Sequence, residues 1–251
     1  LMSETIVEES PSQRYQRFST LLGKGAYKEV YKSFDIQAGV DVAWNQIDLA
    51  VIPTDEEKDK IFKECEMLRK LNHPNVLRIR DQWHSDGTQK LIFITDMIQS
   101  GSLRKYFRIR KVNLSRVKEI AYQILSALEY LHSQSVIHRD LKCDNVFIDG
   151  VSGKIVIGDL GLSVEFNSKA YFDATMSIVG TPHWMAPELY KEKYDEMVDI
   201  WSFGMLMLEL ITNKIPYEEC RNAPAVYQKI AIDKKKPDIL NKINNLSVRS
   251  F

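Results

Sequence analysis

The apolar and polar positions divide the chain into a strand-rich first part and a helical second part. Between residues 18 and 52, short apolar runs are interrupted by glycines, a pattern typical of antiparallel strands joined by turns. A further apolar run at 91–95 predicts another strand. Residues 1–17 are polar, and we interpret them as a flexible leader.

Helical spacing of apolar residues recurs along the chain. The predicted helices cover residues 55–71, 115–133 and 198–211. Thr54 is the expected N-cap of the first helix because Glu57 follows three residues later, and Ser115 is the expected N-cap of the second. Two short apolar runs between the later helices predict a β-hairpin, at residues 146–148 and 155–157.

These elements predict an α+β protein with two lobes. The small lobe, residues 18–96, is expected to be an antiparallel sheet with one helix. The larger lobe, residues 97–251, is expected to be mainly helical. A cleft between such lobes is where ligands tend to bind, so we expect the chemistry there.

Composition removes several functional classes. The 34 Lys and Arg residues balance the 34 Asp and Glu residues, which argues against a general binder of nucleic acid or of membrane surfaces. Cys65, Cys143 and Cys220 are widely spaced, which disfavours a zinc site or disulfide framework and fits a cytoplasmic protein. The longest apolar stretch, residues 200–211, is too short to span a bilayer.

The strongest chemical signal is the segment HRDLKCDN at residues 138–145. Asp140 can accept a proton from a substrate hydroxyl and Asn145 can hold a metal ion, as phosphoryl transfer requires. Asp159, in the later segment DLG, supplies a second metal contact. Such oxygen ligands suit Mg²⁺ bound to nucleotide phosphates. Each motif alone could be an ordinary turn, but their shared order and spacing favour catalysis.

From Phe18 onward the chain resembles a eukaryotic protein kinase domain. The resemblance implies the bilobal protein-kinase fold, with ATP and Mg²⁺ as cofactors and a protein substrate. Lys142 resembles the lysine with which Ser/Thr kinases neutralise the transferring phosphate. Asp199 resembles the buried carboxylate that anchors the catalytic-loop backbone. Kinases of this family continue past the position of Phe251, so we expect a truncated C-terminal end.

Two positions depart from the kinase pattern. The glycine-rich loop has Lys28 in place of its third glycine, and the strand motif VAWN has Asn45 in place of the lysine that grips phosphate. A charge pair at about 4 Å is worth roughly 4 kcal/mol at an effective dielectric near 20, and a neutral amide cannot supply it. The kinase resemblance implies that Val30 and Ala43, on neighbouring antiparallel strands, both cover the adenine. Counting two residues toward the phosphates from each, we predict that Lys28 and Asn45 lie opposite one another, with Cβ atoms about 5 Å apart. Lys28 could then supply the missing ammonium group.

The displaced lysine resembles the signature of the "with no lysine" (WNK) group of kinases, especially its plant members. VAWN, HRDLKCDN and IGDLGL agree with this group. The resemblance assigns the nucleotide-binding positions to Gly23, Gly25, Val30, Ala43, Glu64, Thr95 and Met97. Glu64 is the expected partner of Lys28, with Glu66 as the alternative, and Thr95 is the expected gatekeeper.

The resemblance also implies regulation. Ser177 is the expected activating phosphoserine, with Thr175 as the alternative site, and Arg139 would pair with the phosphate. Leu160 and Leu162 resemble the residues around an inhibitory chloride ion.

The leading hypothesis is an active Ser/Thr kinase that signals to Ste20-like kinases in ion homeostasis. His183 and Trp184 stand where the WNK group usually has Glu-Phe, which leaves the substrate preference open. The main alternative is a pseudokinase that serves as a binding scaffold, suggested by Asn45. A third interpretation is a conventional Ste20-like kinase that uses another lysine.

Overall fold

The structure is a computed structural model that divides into two compact units. It describes residues 5–25, 28–85, 87–108, 112–160, 182–190 and 194–243, with the backbone alone at residues 60 and 64. The small unit comprises Leu1–Asn72 and Leu77–Ile98, and the large unit comprises His73–Val76 and Gln99–Phe251. The described helices include none with the length and apolar character needed to cross a membrane.

The small unit contains a six-stranded antiparallel sheet in the order β1-β2-β3-β4-β6-β5. Its strands are β1 (Ile6–Glu9), β2 (Tyr15–Lys24), β3 (Lys28–Asp35), β4 (Val40–Asp48), β5 (Ile79–Ser85) and β6 (Lys90–Asp96). A 3₁₀ turn, Leu49–Val51, follows β4 and leads to α1 (Asp55–Lys70). The predicted N-cap is confirmed, because the Thr54 hydroxyl accepts a hydrogen bond from the Glu57 N–H at 3.2 Å.

For residues 6–17 the predicted flexible leader is wrong, because these residues contribute to the sheet and its core. Ile6–Glu9 forms β1, which pairs with β2. Tyr15, at the start of β2, has no exposed surface and packs in a cluster with Trp44 and Ile94. Trp83 contacts the same cluster, with its ring centre 4.8 Å from that of Trp44. The prediction failed because it followed the polar composition of the segment and gave no weight to its single aromatic residue, Tyr15, which packs in the core.

A turn at residues 36–39 sets the register of β3 against β4. The Asp35 carboxylate accepts hydrogen bonds from the N–H groups of Gln37 and Ala38, both at 3.1 Å. The Gly39 N–H donates to the Asp35 carbonyl at 2.8 Å, and Gly39 has φ +66°, which glycine adopts at low cost. Asp35 is therefore paired with Val40, and this pairing fixes every later pair along the two strands.

The large unit is mainly helical and contains one small hairpin. Its helices are α2 (Leu103–Phe107), α3 (Leu114–Ser133), α4 (Met197–Thr212) and α5 (Ala223–Tyr227). Its strands are β7 (Val146–Ile148) and β8 (Ile155–Ile157). The remaining turns are 3₁₀ helices at Pro182–Trp184, Pro187–Tyr190 and Asp238–Lys242 and a π-helix at Gln228–Ile232.

The two long helices of the large unit match the sequence prediction except at one cap. The predicted cap at Ser115 is wrong: the Asn113 side chain accepts from the Arg116 N–H at 2.8 Å. Asn113 has the extended backbone of an N-cap, whereas Ser115 already lies in the first turn. Helix α4 ends at Thr212, and Asn213 directly after it adopts the left-handed conformation common at helix C-termini.

Candidate phosphoryl-transfer site

The large unit brings together three of the predicted catalytic residues. The Lys142 ammonium donates to both carboxylate oxygens of Asp140, at 3.0 and 2.7 Å. The Asn145 amide nitrogen donates to Asp140 Oδ2 at 2.8 Å and to the Asp140 carbonyl at 2.8 Å. Two donors thus orient the carboxylate that would receive a proton, and one of them is a cation placed beside it.

His138 connects this loop to the strand before Asp159. Its ring is fully buried, and Nδ1 accepts a hydrogen bond from the Asp140 N–H at 3.3 Å. Because Nδ1 is the acceptor, we assign the ring hydrogen to Nε2, which donates to the Gly158 carbonyl at 3.0 Å. The imidazole therefore acts as a fixed link between the two predicted metal-binding segments.

Both backbone polar groups of Gly158, its N–H and its carbonyl, form hydrogen bonds with the catalytic loop. Its N–H donates to the Asn145 carbonyl at 2.9 Å, in addition to the bond from His138. These bonds place Asp159, which is exposed and has φ 58°, next in sequence to a residue fixed against Asn145. The Asn145 amide nitrogen donates to Asp140, whereas the Asn145 Oδ1 atom accepts no hydrogen bond within the described residues. An amide oxygen and a carboxylate, the ligand types that a hard cation prefers, thus belong to two segments that are hydrogen-bonded to each other.

Asp199 anchors the catalytic loop from α4, as predicted. Its carboxylate has no exposed surface and accepts from the N–H groups of His138 and Arg139, both at 2.8 Å. His132 Nε2 lies 2.8 Å from Oδ2 of the same carboxylate. Burial acts to raise the pKa of Asp199, but these hydrogen bonds outweigh burial and lower it.

Arg139, the predicted phosphate partner, has left-handed backbone geometry with φ 66°. Its guanidinium lies over the Tyr194 ring, 5.5 Å from the ring centre. Leu160 is buried. The other predicted regulatory positions, Ser177, Thr175 and Leu162, lie outside the described residues.

The predicted nucleotide-facing side of the small unit centres on Asn45. Ala43 on β4 pairs with Thr95 on β6, and both are buried. The Asn45 amide nitrogen lies within hydrogen-bond distance of Thr95 Oγ1 at 3.2 Å and of the carbonyls of Ala43 and Phe93 at 3.3 and 3.4 Å. Asn45 therefore serves as a buried hydrogen-bond donor inside the sheet.

The predicted opposition of Lys28 and Asn45 is wrong by two residues. Lys28 pairs with Ile47, whereas Asn45 pairs with Val30. The reason is the turn after Asp35, whose length fixes the register independently of the side-chain chemistry. Lys28 and Asn45 still share a face, since the shift is even, and diagonal neighbours lie about 7–8 Å apart. A lysine side chain can cover that distance.

Two other lysines on β2 and β3 hold ion pairs. Lys24 donates to Glu29 at 2.8 Å, and Lys32 lies 3.4 Å from Asp41. Glu29 also accepts from Tyr31 and Gln46. The Lys24 bond, followed by those from Tyr31 and Gln46, lowers the pKa of Glu29 to about 2, so this carboxylate stays charged near neutral pH.

The remaining predicted positions are placed as follows. Gly23 lies in β2 opposite Val30, and the Gly25 N–H donates to the Lys28 carbonyl at 2.7 Å. Met97 follows the last residue of β6. Glu64 lies in α1, but its side chain is outside the described atoms, so its pairing with Lys28 stays a prediction.

Sequence reasoning missed the structural roles of His138 and His132. His138 stands in the recognised motif, so its position was a usable signal for a role in the loop. His132 offered no such signal, because it lies at the end of an ordinary amphipathic helix and reaches Asp199 only through the fold.

A comparison with models of protein families shows to which family the chain belongs. The family model described as the protein kinase domain matches residues 16–248. The chain belongs to the protein kinase family. A solved structure of Rad53 residues 1–466 in complex with AMP-PNP aligns with this kinase domain at a TM-score of 0.77 and 25% identity, covering 95% of this chain and 59% of that one. The predicted α+β protein-kinase fold is confirmed.

Two curated relatives confirm the predicted WNK resemblance. Serine/threonine-protein kinase WNK8 of Arabidopsis thaliana is 44% identical over 248 residues, which cover 97% of this chain and 43% of the relative. The probable serine/threonine-protein kinase WNK10 of the same plant is 43% identical over 249 residues, which cover 98% of this chain and 47% of the relative. The chain spans less than half the length of either relative.

Proposed function

We propose that this kinase domain transfers the γ-phosphoryl group of ATP to Ser or Thr hydroxyls of a protein substrate. The observation that carries the proposal is the Asp140 carboxylate, held by hydrogen bonds from Lys142 and Asn145. A carboxylate oriented in this way can accept the hydroxyl proton as the oxygen attacks phosphorus. Lys142, whose ammonium already lies at this carboxylate, would neutralise charge on the phosphoryl group in transit.

The residues present fit a magnesium ion. Asn145 Oδ1 and the Asp159 carboxylate would hold it, and Mg²⁺ would neutralise charge on the nucleotide phosphates. The described residues contain no group of three or more His, Cys, Asp or Glu side chains that could hold a metal ion by themselves. That composition fits an ion that completes its coordination with phosphate oxygens and water.

We assign the phosphate-gripping charge to Lys28. Asn45 occupies the usual lysine position, and its amide donates within the sheet. Lys28 lies on the same sheet face as Asn45, one diagonal step away, so its side chain could occupy the space that a lysine at position 45 would fill.

The experiment compares phosphate transfer by the wild type, Asp140→Asn and the surface control Asp233→Asn. Labelled γ-phosphate from Mg-ATP is followed into a protein with accessible Ser and Thr residues, and ATP binding is measured separately. We expect Asp140→Asn to bind ATP but to lose at least about a hundredfold in turnover, because it removes the proton acceptor. The control should match the wild type.

Two outcomes would contradict the proposal. Transfer by Asp140→Asn at the wild-type rate would remove the assigned base. A wild type that binds ATP without any transfer would favour the pseudokinase scaffold that Asn45 suggests.

Finer aspects of the function rest on the WNK resemblance alone. We propose Ste20-like kinases of ion homeostasis as substrates and a cytoplasmic location. We also propose an activating phosphate on Ser177 or Thr175 that pairs with Arg139. A regulatory chloride ion would bind near Leu160 and Leu162. Mapping of autophosphorylation sites across chloride concentrations tests the last two proposals together.

A further inference from the structure

A cavity of about 420 Å³ opens in the large unit, away from the Asp140 carboxylate but sharing its loop. Its walls come from α2, from the catalytic loop at Asp144 and from the end of α4. Asp144 directly precedes Asn145 and follows Asp140 by four positions. A peptide whose hydroxyl reaches Asp140 would therefore carry neighbouring side chains past this wall, since extended peptides advance about 3.3 Å per residue.

Arg104 lies between two carboxylates of the cavity lining. Its Nε lies 2.9 Å from Asp144 and its other guanidinium nitrogen lies 2.9 Å from Glu209. The guanidinium also lies over the Trp184 ring, 5.2 Å from its centre. The acid pair is thus occupied by a cation of the chain itself, which disfavours a basic side chain of a substrate at this place.

The Arg104 contacts are close but poorly directed. Its Nε and NH2 groups are buried, and neither meets the geometry of a hydrogen bond within the described residues. Glu209 Oε2 is likewise buried without a hydrogen-bond partner there. Burial raises the pKa of Glu209 to about 7, against the opposing effect of Arg104, so part of its negative charge is lost near neutral pH.

The exposed part of the cavity lining is basic. Lys105 lies on α2 and Arg108 directly follows this helix; both are exposed, and neither forms an ion pair with the part of the chain that the structure describes. Lys214 adds a third cation, whose ammonium lies 3.2 Å from the carboxylate of the exposed Glu218. With Arg104, the lining carries four cationic side chains against two carboxylates, a net charge of +2 before any protonation of Glu209.

We propose that this cavity binds an anionic side chain of the protein substrate, near the residue that is phosphorylated. The ligand chemistry is a carboxylate or a phosphate, received by the exposed Lys105 and Arg108 and by Arg104 between its two carboxylates. Arg104 is a specificity-determining residue held in place by Asp144 and Glu209. The inference rests on the proposed kinase function, because it names the substrate that the same catalytic loop would take.

The test compares peptides that differ by a single residue. Each carries one Ser acceptor in a neutral background, with Asp, phosphoserine, Ala or Lys at one neighbouring position in turn. Phosphorylation of each peptide is measured with the wild type, with Lys105→Ala/Arg108→Ala and with the control Lys118→Ala/Arg221→Ala. The control removes the same two charges from exposed sites of the large unit.

We expect the wild type to favour Asp or phosphoserine over Ala at one or more positions by roughly tenfold in kcat/KM, the sum of two exposed charge contacts. The α2 double variant should lose that preference and the control should keep it. A larger effect for phosphoserine than for Asp would assign the site to phosphate, and equal effects would assign it to carboxylate.

A charge-reversal variant distinguishes a changed peptide preference from a loss of folding. Lys105→Glu/Arg108→Glu should favour Lys over Asp at the same positions, which a misfolded protein cannot do. Equal rates for acidic and neutral peptides with the wild type, or an acidic preference that survives the charge reversal, would overturn the inference.

Peptide binding separates this inference from the proposed function. The same peptides with Ala in place of the acceptor Ser are titrated by fluorescence anisotropy. Tight binding of acidic peptides by a protein that transfers no phosphate would contradict the kinase proposal and leave the anion site standing. Phosphate transfer without any acidic preference would do the reverse.

Discussion

The catalytic loop of the large unit and the glycine-rich turn of the small unit serve the same phosphates in the proposed reaction, but they are built differently. The loop is fixed by buried hydrogen bonds: two backbone N–H groups donate to the Asp199 carboxylate, and His138 donates to the Gly158 carbonyl. In the small unit, the proposed phosphate-binding charge is carried by one long side chain, Lys28, the first residue of β3.

This difference explains which departures from the kinase pattern a chain can carry. Where the backbone itself is fixed, each functional residue has one position from which it can act. Where a flexible side chain delivers a charge to a space, any position on the same face within reach can provide it. Asn45 and Lys28 share such a face, whereas Asp140 and Asn145 have no equivalent substitute in the described loop.

The largest expected effect comes from breaking the fixed loop. Asp199→Ala removes the acceptor for the buried N–H groups of His138 and Arg139, and we expect the free energy of unfolding to fall by about 3–5 kcal/mol. Urea unfolding measures the change. Asp199→Asn, which keeps one acceptor oxygen, should lose less, and Glu196→Ala, at the exposed position just before the same helix, should lose little.

The stability that Asp199 contributes should depend on pH. Because the fold lowers the pKa of Asp199, its stabilisation is fully present above its unfolded pKa of about 3.9 and is lost as the pH falls through the lower folded value. The difference between wild type and Asp199→Ala should therefore shrink in acid. A variant as stable as the wild type at neutral pH would show that this carboxylate does not hold the loop.

A second buried carboxylate of α4, that of Glu209, tests whether buried carboxylates generally stabilise the large unit in their charged form. Glu209 has a pKa raised to about 7 by burial, in spite of Arg104 and near Asp144. The stability that its protonated form provides is present below its unfolded pKa and is lost as the pH rises through about 7. Glu209→Gln should escape this loss and gain up to about 3 kcal/mol relative to the wild type between mildly acidic and mildly basic pH.

Thermal unfolding across pH measures this effect. Glu196→Gln removes one exposed carboxylate near the start of the same helix and serves as the control, with no comparable pH-dependent gain. If wild type and Glu209→Gln kept parallel stability profiles, Glu209 would be charged throughout and Arg104 would compensate its burial.

Local patterns predicted the elements and the catalytic motif well. The helix over Asp55–Lys70 with its Thr54 cap depends on neighbouring residues alone, as do the short strands around the HRDLKCDN and DLG segments. The contacts of Asp199 with the loop were also predictable, because they follow the family motif.

Long-range features escaped prediction for physical reasons. Periodicity fixes which face a strand residue takes but not the residue opposite, so Lys28 was placed on the right face and in the wrong register. The register depends on the turn capped by Asp35. In the same way, the pairing of β1 with β2 and the burial of Tyr15 depend on distant aromatic partners such as Trp83.

A smaller effect is expected at Asn45, on the adaptable side of the comparison. If its amide is a structural donor to Thr95, Asn45→Ala and Thr95→Val should each lower stability, with a coupling energy of about 1 kcal/mol in a double-mutant cycle. Asn45→Ala combined with Thr212→Val, in the large unit, should be additive. Additivity within the Asn45 and Thr95 pair would mean that the hydrogen bond contributes nothing.

The most direct test of the displaced charge is kcat/KM for ATP, measured on Lys28→Met, Lys24→Met and Asn45→Met in parallel with the wild type. Removing a charge worth roughly 4 kcal/mol corresponds to a loss on the order of a thousandfold. We predict that loss for Lys28→Met alone, with the other two variants within a few fold of the wild type. An active Lys28→Met, or an equal loss in Asn45→Met, would contradict the assignment of the phosphate-gripping charge to Lys28.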